Sequence, residues 1–328
     1  MNIYPSAYED LFESNPITLV DVGASGGMMP LWQPHSRYLR VIGFEPDTRA
    51  FKALQDQQDR LKYYLNVGLH RRSGEFTFYL TRKQKNSSCF LPNRALLDRF
   101  PDSERFDIVG ETNIECRSLD ESLKDARLTD IDFIKLDTQG TELAILEGAG
   151  SVLNASVFGL EIEIAFAELY LGQPLFADVD VFVRRYGFDL INLRTGTRKR
   201  AIGANVGNSR GQLLSGDALY FRQPPIWREM LSKMDSSLAR SKLLRALSIS
   251  QLYGFLDFGL ELLDIVGTDF FDRRELNCLS RHVRAQAPLA SRLPNFAGRK
   301  WLAKWLFGLA KSVAPRKHKE SQPHLGNF

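Results

Sequence analysis

Four short apolar runs, each bounded by glycine, proline or an acid, constrain this chain more than any other feature: TLVDVG (18–23), VIGFEP (41–46), DFIKLD (132–137) and VFGLEIEIAF (157–166). Runs of this kind read as buried strands, and helix-length stretches between them predict crossovers and hence a parallel sheet. A glycine turn and then such a stretch separate the first two runs, which makes a βαβ unit. Residues 48–60 have helical spacing, with Phe51 and Leu54 on one side and Thr48 as the expected cap, and YYLNVGL (63–69) returns as strand. GEFTFYLT (74–81) alternates like a hairpin or edge strand, while 82–112 is loop-rich, with no element predicted in it. TELAILEGAGSVL (141–153) and 176–186 are helices, and FDLINL (188–193) and ALYFR (218–222) are the last strands. The expected fold is α/β, mostly parallel, with one antiparallel edge strand.

After Pro224-Pro225 the text becomes leucine-rich and helical. The expected organisation is a sheet domain over 1–222, a helical C-terminal appendage over 223–314 and a flexible basic tail over 315–328. Charge follows the same boundary: 1–222 holds 26 Lys and Arg against 30 Asp and Glu, and 223–328 holds 17 against 9, so the basic character belongs to the tail. Cys89, Cys116 and Cys278 are far apart and have neither disulfide-framework nor zinc spacing. The opening MNIYPSAYED has no basic-then-apolar leader, and no stretch is long and apolar enough to span a bilayer, so a cytoplasmic location is expected.

The chemistry is expected at the carboxyl ends of the strands. Asp21-Val22-Gly23-Ala24-Ser25-Gly26-Gly27 closes the first strand with small residues that let a ligand approach the backbone, although an empty tight turn would use glycines too. Glu45 ends the second strand about twenty residues further on, where an acid can accept from both ribose hydroxyls of an adenosine. The turn lacks the G-x-G-x-x-G of dinucleotide sites and leads into Met28-Met29-Pro30, which favours a nucleoside cofactor without a diphosphate.

VDVGASGG (20–27), GFEPD (43–47), NVGL (66–69), SLDE (118–121), KLDTQGTELAILEGA (135–149) and LEIEIAFAELYLGQPLF (160–176) together resemble the FkbM-type methyltransferases, over about residues 17–222. The resemblance implies a Rossmann-like class I methyltransferase sheet and S-adenosylmethionine as cofactor. It further implies O-methylation of a hydroxyl on a sugar, glycolipid or other small molecule. It would put Asp21, Gly23, Ser25 and the adjoining Gly26 around the methionine moiety, Glu45 on the ribose, Asn66 among the cofactor-binding residues, and Asp137 and Gln139 beside the transferred methyl. Gly68 stands where the family often has alanine.

A hydroxyl nucleophile must lose its proton, and Asp137 is the first candidate for general base. Its competing role is structural: an Asp at a strand end can cap the next helix by accepting from the N–H of Gly140 or Thr141. Glu161 and Glu163 share one face of their strand; Glu163 is a second catalytic candidate, while a solvent-facing strand would explain both. Carboxylates could also hold a divalent cation, but no ligand spacing compels it, and no metal is expected. His35 and His70 follow the first turn and third strand within possible reach of the cofactor edge.

In WLAKWLFGLAKSV (301–313), Trp301, Leu302, Trp305, Leu306, Leu309 and Val313 form one helical face with Lys304 and Lys311 off it. Such a face docks on the protein's own body or rests on an anionic membrane through 297–319, peripheral to the inner face. A non-catalytic scaffold with a partner-binding helical tail is the competing function. Nucleic acid is not an expected partner, because no NPPY-like tetrad follows a strand and the positive charge sits in the tail.

Overall fold

The computed structural model describes residues 9–203, 206, 210–287 and 296–313, with side chains up to Leu309 in the last segment. The first residues of the opening segment and the tail 315–328 lie outside the described residues, as does the 314–319 part of the candidate membrane segment. Among the described residues there are ten strands: β1 (Ile17–Val22), β2 (Leu39–Phe44), β3 (Lys62–Leu65), β4 (Gly68–Leu69), β5 (Gly74–Thr81), β6 (Ile108–Arg117), β7 (Phe133–Leu136), β8 (Gly159–Ala165), β9 (Phe188–Arg198) and β10 (Gln212–Arg222). Seven form one sheet in the order β3-β2-β1-β7-β8-β10-β9, and β4-β6-β5 form a second. In the large sheet β1, β2, β3, β7 and β8 pair in parallel, and β10 runs antiparallel to both neighbours. The one antiparallel strand expected from sequence is therefore present, but it lies one position in from the edge, between β8 and β9.

One face of the sheet is covered by α4 (Leu119–Asp125), α5 (Glu142–Glu147), α6 (Gly150–Ala155) and α7 (Phe176–Arg184). Their Leu123, Ile145, Leu153 and Val183 pack with Val20, Ile42, Ile134, Leu160 and Tyr220. The single helix expected over 141–153 is broken into α5 and α6 at Gly148. A Cβ there would come within 2.6 Å of the carbonyl oxygen of His70, so the close approach of two backbones fixes the break.

The other face departs further from expectation. Between β1 and β2 the chain forms a 3₁₀ helix over Pro30–Tyr38 rather than an α-helix. Pro34 inside it lacks the N–H an α-helix would need, and Pro30 already fixes its start. That short segment, α1 (Glu9–Ser14) and α2 (Thr48–Gln55) leave most of this face open. It is filled by α8 (Pro224–Ser232), α9 (Ser236–Leu252), α10 (Leu256–Ile265) and α11 (Arg273–Ala285), whose Trp227, Leu243, Leu247, Leu262 and Leu279 share a core with Leu19, Val41, Phe133 and Phe221. The helical text after Pro224 thus supplies one layer of the α/β sandwich. Along α12 (Arg299–Val313), by contrast, every residue from Trp301 to Leu309 is exposed.

α9 explains how a helix with two buried charges can be a core element. Lys242 and Arg245 are buried, and they meet Asp130 and Asp132 at the amino end of β7 at 2.6 to 3.4 Å. Asp132 also accepts from the N–H of Thr18 at 2.8 Å, which ties β1 into the same cluster. Removing one partner from such a cluster leaves a buried unpaired charge, which is why the four residues act as one unit.

Three smaller differences concern the region between β2 and β7. α2 ends at Gln55 rather than Arg60, and its cap is Asp47, whose carboxylate accepts from the N–H of Arg49 at 2.9 Å, not Thr48. The strand expected over 63–69 is split, with β3 in the large sheet and β4 in the small one. The unassigned stretch 82–112 holds 3₁₀ turns, the short α3 (Arg94–Leu97) and the start of β6, which pairs antiparallel with β5.

Candidate active site

At the carboxyl end of β1 the chain turns at Gly23, which has φ +77° and lies so close to β7 that a Cβ would sit 2.0 Å from the carbonyl oxygen of Asp137. Only glycine can bring the two strand ends together in this way. The amides of Gly23 and Ala24 donate to the carbonyl of Phe44 at 3.0 and 3.2 Å, which fixes the turn against β2. The three strand ends bound a cavity of 260 Å³, close to the roughly 300 Å³ at which small-molecule sites begin.

Asp21, Gly23, Ser25, Gly26, Glu45, Asp137 and Gln139 all line that cavity. The structure therefore brings together seven of the nine residues assigned a cofactor-binding or catalytic role from sequence. Asn66 lines a neighbouring hollow instead, and its side-chain amide donates to the carbonyls of Glu45 at 2.8 Å and Pro46 at 3.1 Å. Glu163 lies behind Gln139 rather than on the main cavity wall. His35 is buried in the core, 6.1 Å from the Trp32 ring, and burial pulls it down to about 3; the His70 ring lies tilted against Phe76, with ring centroids 4.0 Å apart. Neither histidine lines the cavity.

The second sheet roofs the site. Phe78 of β5, Ile114 and Cys116 of β6, and Gln84, Lys85, Ser87 and Cys89 between them complete the cavity wall. Burial pushes the Cys89 thiol to about 11 and the Cys116 thiol to about 12, so both stay neutral and act as apolar wall. The roof is tied to the floor by Ser88, whose hydroxyl donates to the carbonyl oxygen of Gln139 at 2.7 Å.

The electrostatics of the floor are set by strand register. Asp21, Lys135 and Glu161 lie side by side on β1, β7 and β8, and Glu163 lies opposite Asp217, which in turn faces Arg194 of β9. The Lys135 ammonium sits 3.2 Å from Asp21 and 3.7 Å from Asp137. Although burial works against its charge, these carboxylates raise it above the ordinary lysine value. Glu45 is 5% exposed; burial pushes it up to about 7, against one backbone hydrogen bond from Asp47 at 2.9 Å. Glu161 is buried as well, not solvent-facing, and accepts from the Tyr253 hydroxyl at 2.6 Å; burial likewise pushes it to about 7.

Gln139 is the hub of the floor. It sits in the left-handed region at φ +60°, which a non-glycine residue adopts only when its surroundings hold it there. Its side-chain nitrogen donates to Asp137 at 3.2 Å and to Glu163 at 2.5 Å, and its oxygen accepts from the Tyr170 hydroxyl at 2.9 Å. Burial, then the nearby charge of Asp137, pushes Glu163 well above the carboxylate range. The capping role that competed for Asp137 belongs to Glu142, whose carboxylate accepts from the N–H groups of Thr138 at 2.8 Å and Gly140 at 2.9 Å. Asp137 keeps 46% of its side chain exposed, at the cavity edge. Among the described residues no group of three His, Cys, Asp or Glu has the geometry to hold a metal ion.

Sequence reasoning missed Lys135, Tyr170, Arg194 and Asp217. Lys135 alone left a signal, as the one charge inside an otherwise apolar strand.

The cavity fits an adenosine-bearing cofactor: a glycine turn, an acid at the end of the next strand and an apolar roof of Phe78 and Ile114 surround one space. The sequence profile of the FkbM methyltransferase domain matches residues 21–190. A 2-O-methyltransferase, NoeI of Sinorhizobium fredii strain NGR234, is 27% identical over 188 residues, covering 52% of this chain and 73% of that protein. Among solved structures, magnesium protoporphyrin IX methyltransferase of Synechocystis with bound S-adenosylmethionine aligns at 11% identity, over 66% of this chain and 78% of that one, with a TM-score of 0.33. Precorrin-6y C5,15-methyltransferase of Geobacter metallireducens aligns at 10% identity, over 66% and 86%, with a TM-score of 0.32. With the profile spanning both strand-end motifs and the floor of the cavity, the chain belongs to the FkbM family of S-adenosylmethionine-dependent methyltransferases.

Proposed function

We propose that the protein methylates a hydroxyl group of a sugar, glycolipid or other small molecule, with Asp137 taking the hydroxyl proton. The observation that carries this reading is the pair of carboxylates, Asp137 and Glu163, held on one side-chain amide of Gln139 at the cavity edge. Burial, and then the nearby charge of Asp137, favours the protonated form of Glu163. Asp137, the more exposed of the two, then faces the acceptor as the base. The name of the Sinorhizobium relative, a 2-O-methyltransferase, supports oxygen as the methylated atom.

In this reading Asp21, Gly23, Ser25 and Gly26 surround the methionine part of the cofactor and Glu45 takes the ribose hydroxyls. Asn66 contributes by holding the backbone at Glu45 and Pro46. Bound S-adenosylmethionine supplies an electrophilic methyl group on a sulfonium. The residues of the chain have three tasks: to fix the acceptor in line, to accept its proton and to keep water out. Gln139, locked by Tyr170 and Ser88, holds both carboxylates in place, and Lys135 limits the repulsion between Asp21 and Asp137.

Calorimetric titration with S-adenosylhomocysteine tests the cofactor seat. Saturable binding is expected, weakened roughly tenfold or more in Glu45→Ala, since hydrogen bonds to a charged group contribute about 1.5–3 kcal/mol. No heat with folded protein would favour the scaffold instead. A panel of glycosides incubated with labelled cofactor then tests the acceptor: label in a methyl ether is expected, and label only on nitrogen or carbon would overturn O-methylation.

A further inference from the structure

We infer that α12 is a docking helix for the surface of an anionic phospholipid bilayer. This goes beyond methyl transfer and stands on observations away from the active site. The chain has four tryptophans. Trp32 and Trp227 are fully buried, whereas Trp301 is 69% exposed and Trp305 51% exposed. The two exposed rings are one helical turn apart, and Leu302 (39% exposed) and Leu306 (51% exposed) follow them at the same spacing. At ~100° per residue these four side chains fall within an arc of roughly 140°. Lys300 and Lys304, also one turn apart, project from the opposite side of the helix. A helix that packed on its own sheet would bury the tryptophan side, as α8 buries Trp227; here every residue from Trp301 to Leu309 is exposed.

Charge decides which partner fits. The sequence 288–328 contains eight Lys and Arg and a single acid, Glu320, so the helix and both flanks carry one sign. A protein partner would need a matching apolar groove rimmed with acid. A bilayer of anionic lipid offers both requirements everywhere: an acyl boundary for leucine and indole, and headgroup charge for lysine. Indole rings favour this depth because one edge is apolar and the N–H remains hydrogen-bonded. Among the described residues no helix is long and apolar enough to cross a membrane, so the helix lies on the surface rather than spanning it.

The test is cosedimentation of the full chain with vesicles of phosphatidylglycerol and phosphatidylcholine, and with phosphatidylcholine alone. Binding to the anionic vesicles is expected, with a blue shift of tryptophan emission. It should fall roughly tenfold or more in a Trp301→Ala/Trp305→Ala double variant, and also in Lys300→Glu/Lys304→Glu. It should weaken with salt, as the Debye length shortens from about 10 Å at 0.1 M to about 3 Å at 1 M. No binding of the wild-type chain overturns the inference, and so does equal binding by the double tryptophan variant. Self-association abolished by that variant, with no vesicle binding, assigns the face to a second copy and overturns it too. S-adenosylhomocysteine affinity, measured on the same samples, should be the same in all variants; its loss in the wild type would count against the methyltransferase reading and leave the membrane result standing.

Discussion

The two ends of β7 carry acids that look alike in sequence, Asp130 and Asp132 before FIKL and Asp137 after it, yet their surroundings are opposite. At the amino end two acids meet two bases, Lys242 and Arg245, and each carboxylate is paired. Burial there would push Asp130 up, but the two cations prevail and hold it down at about 2. At the carboxyl end Asp21, Asp137, Glu161, Glu163 and Asp217 have, among the described residues, ion pairs with Lys135 and Arg194 alone, and Glu161 and Glu163 are pushed up. A balanced cluster locks α9 to the sheet; a surplus of carboxylate makes protons easy to hold and to exchange, which is what a base needs.

The largest way to break this comparison is Lys242→Met. It leaves two acids sharing one cation in the core and should cost ~3–5 kcal/mol, read as a lower urea midpoint, with S-adenosylhomocysteine affinity unchanged in the folded fraction. Asp137→Asn should do the reverse: kcat falls by at least about a hundredfold while the urea midpoint stays or rises, because one negative charge is gone from the carboxylate-rich end of β7. If it lost stability as Lys242→Met does, Asp137 would belong with the structural cluster.

The smallest expected effect sharpens the contrast through pH. Burial pushes Glu161 up to about 7 in the fold, above the ordinary glutamate value of 4.5. A carboxyl with a raised folded value contributes stability that is fully present below about pH 4.5 and is lost as the pH climbs through 7. Glu161→Gln should therefore match wild type at pH 4.5 and exceed it at pH 8, by on the order of 1 kcal/mol in urea unfolding. Asp130 has the opposite sign: its stabilisation is present above its unfolded value and disappears as the pH falls toward 2, so Asp130→Asn should flatten the acid limb.

Most strands of the sheet were legible because their signals are local. Apolar runs at 18–23, 41–46 and 157–166 specify β1, β2 and β8 within two residues, and the glycine turn and Glu45 were placed at their ends from spacing alone. Capping of the 137–142 turn, the structural role that competed with base catalysis at Asp137, falls to Glu142. Residue type alone does not choose between Asp137 and Glu142; the bend at Gln139 and Gly140 is what brings the amides of Thr138 and Gly140 onto the Glu142 carboxylate. Tyr170 could not be found at all, because it approaches Gln139 from 31 residues away with no periodic signature.

What the sequence determined by itself is most strands of the large sheet, their carboxyl-end turns and the family, since strand alternation, glycine conformation and cap chemistry act between residues near in the chain. The tertiary structure decided which face each element covers. The prolines of 30–38 deny the β1–β2 crossover an α-helix, so α8 to α11 return from the far end of the chain to cover that face. The same packing turns Glu161 from a surface residue into a buried one, through a hydroxyl 92 residues away. Burial depends on what arrives from elsewhere, and that is why the carboxylate surplus of the site could be named from sequence while its protonation could not.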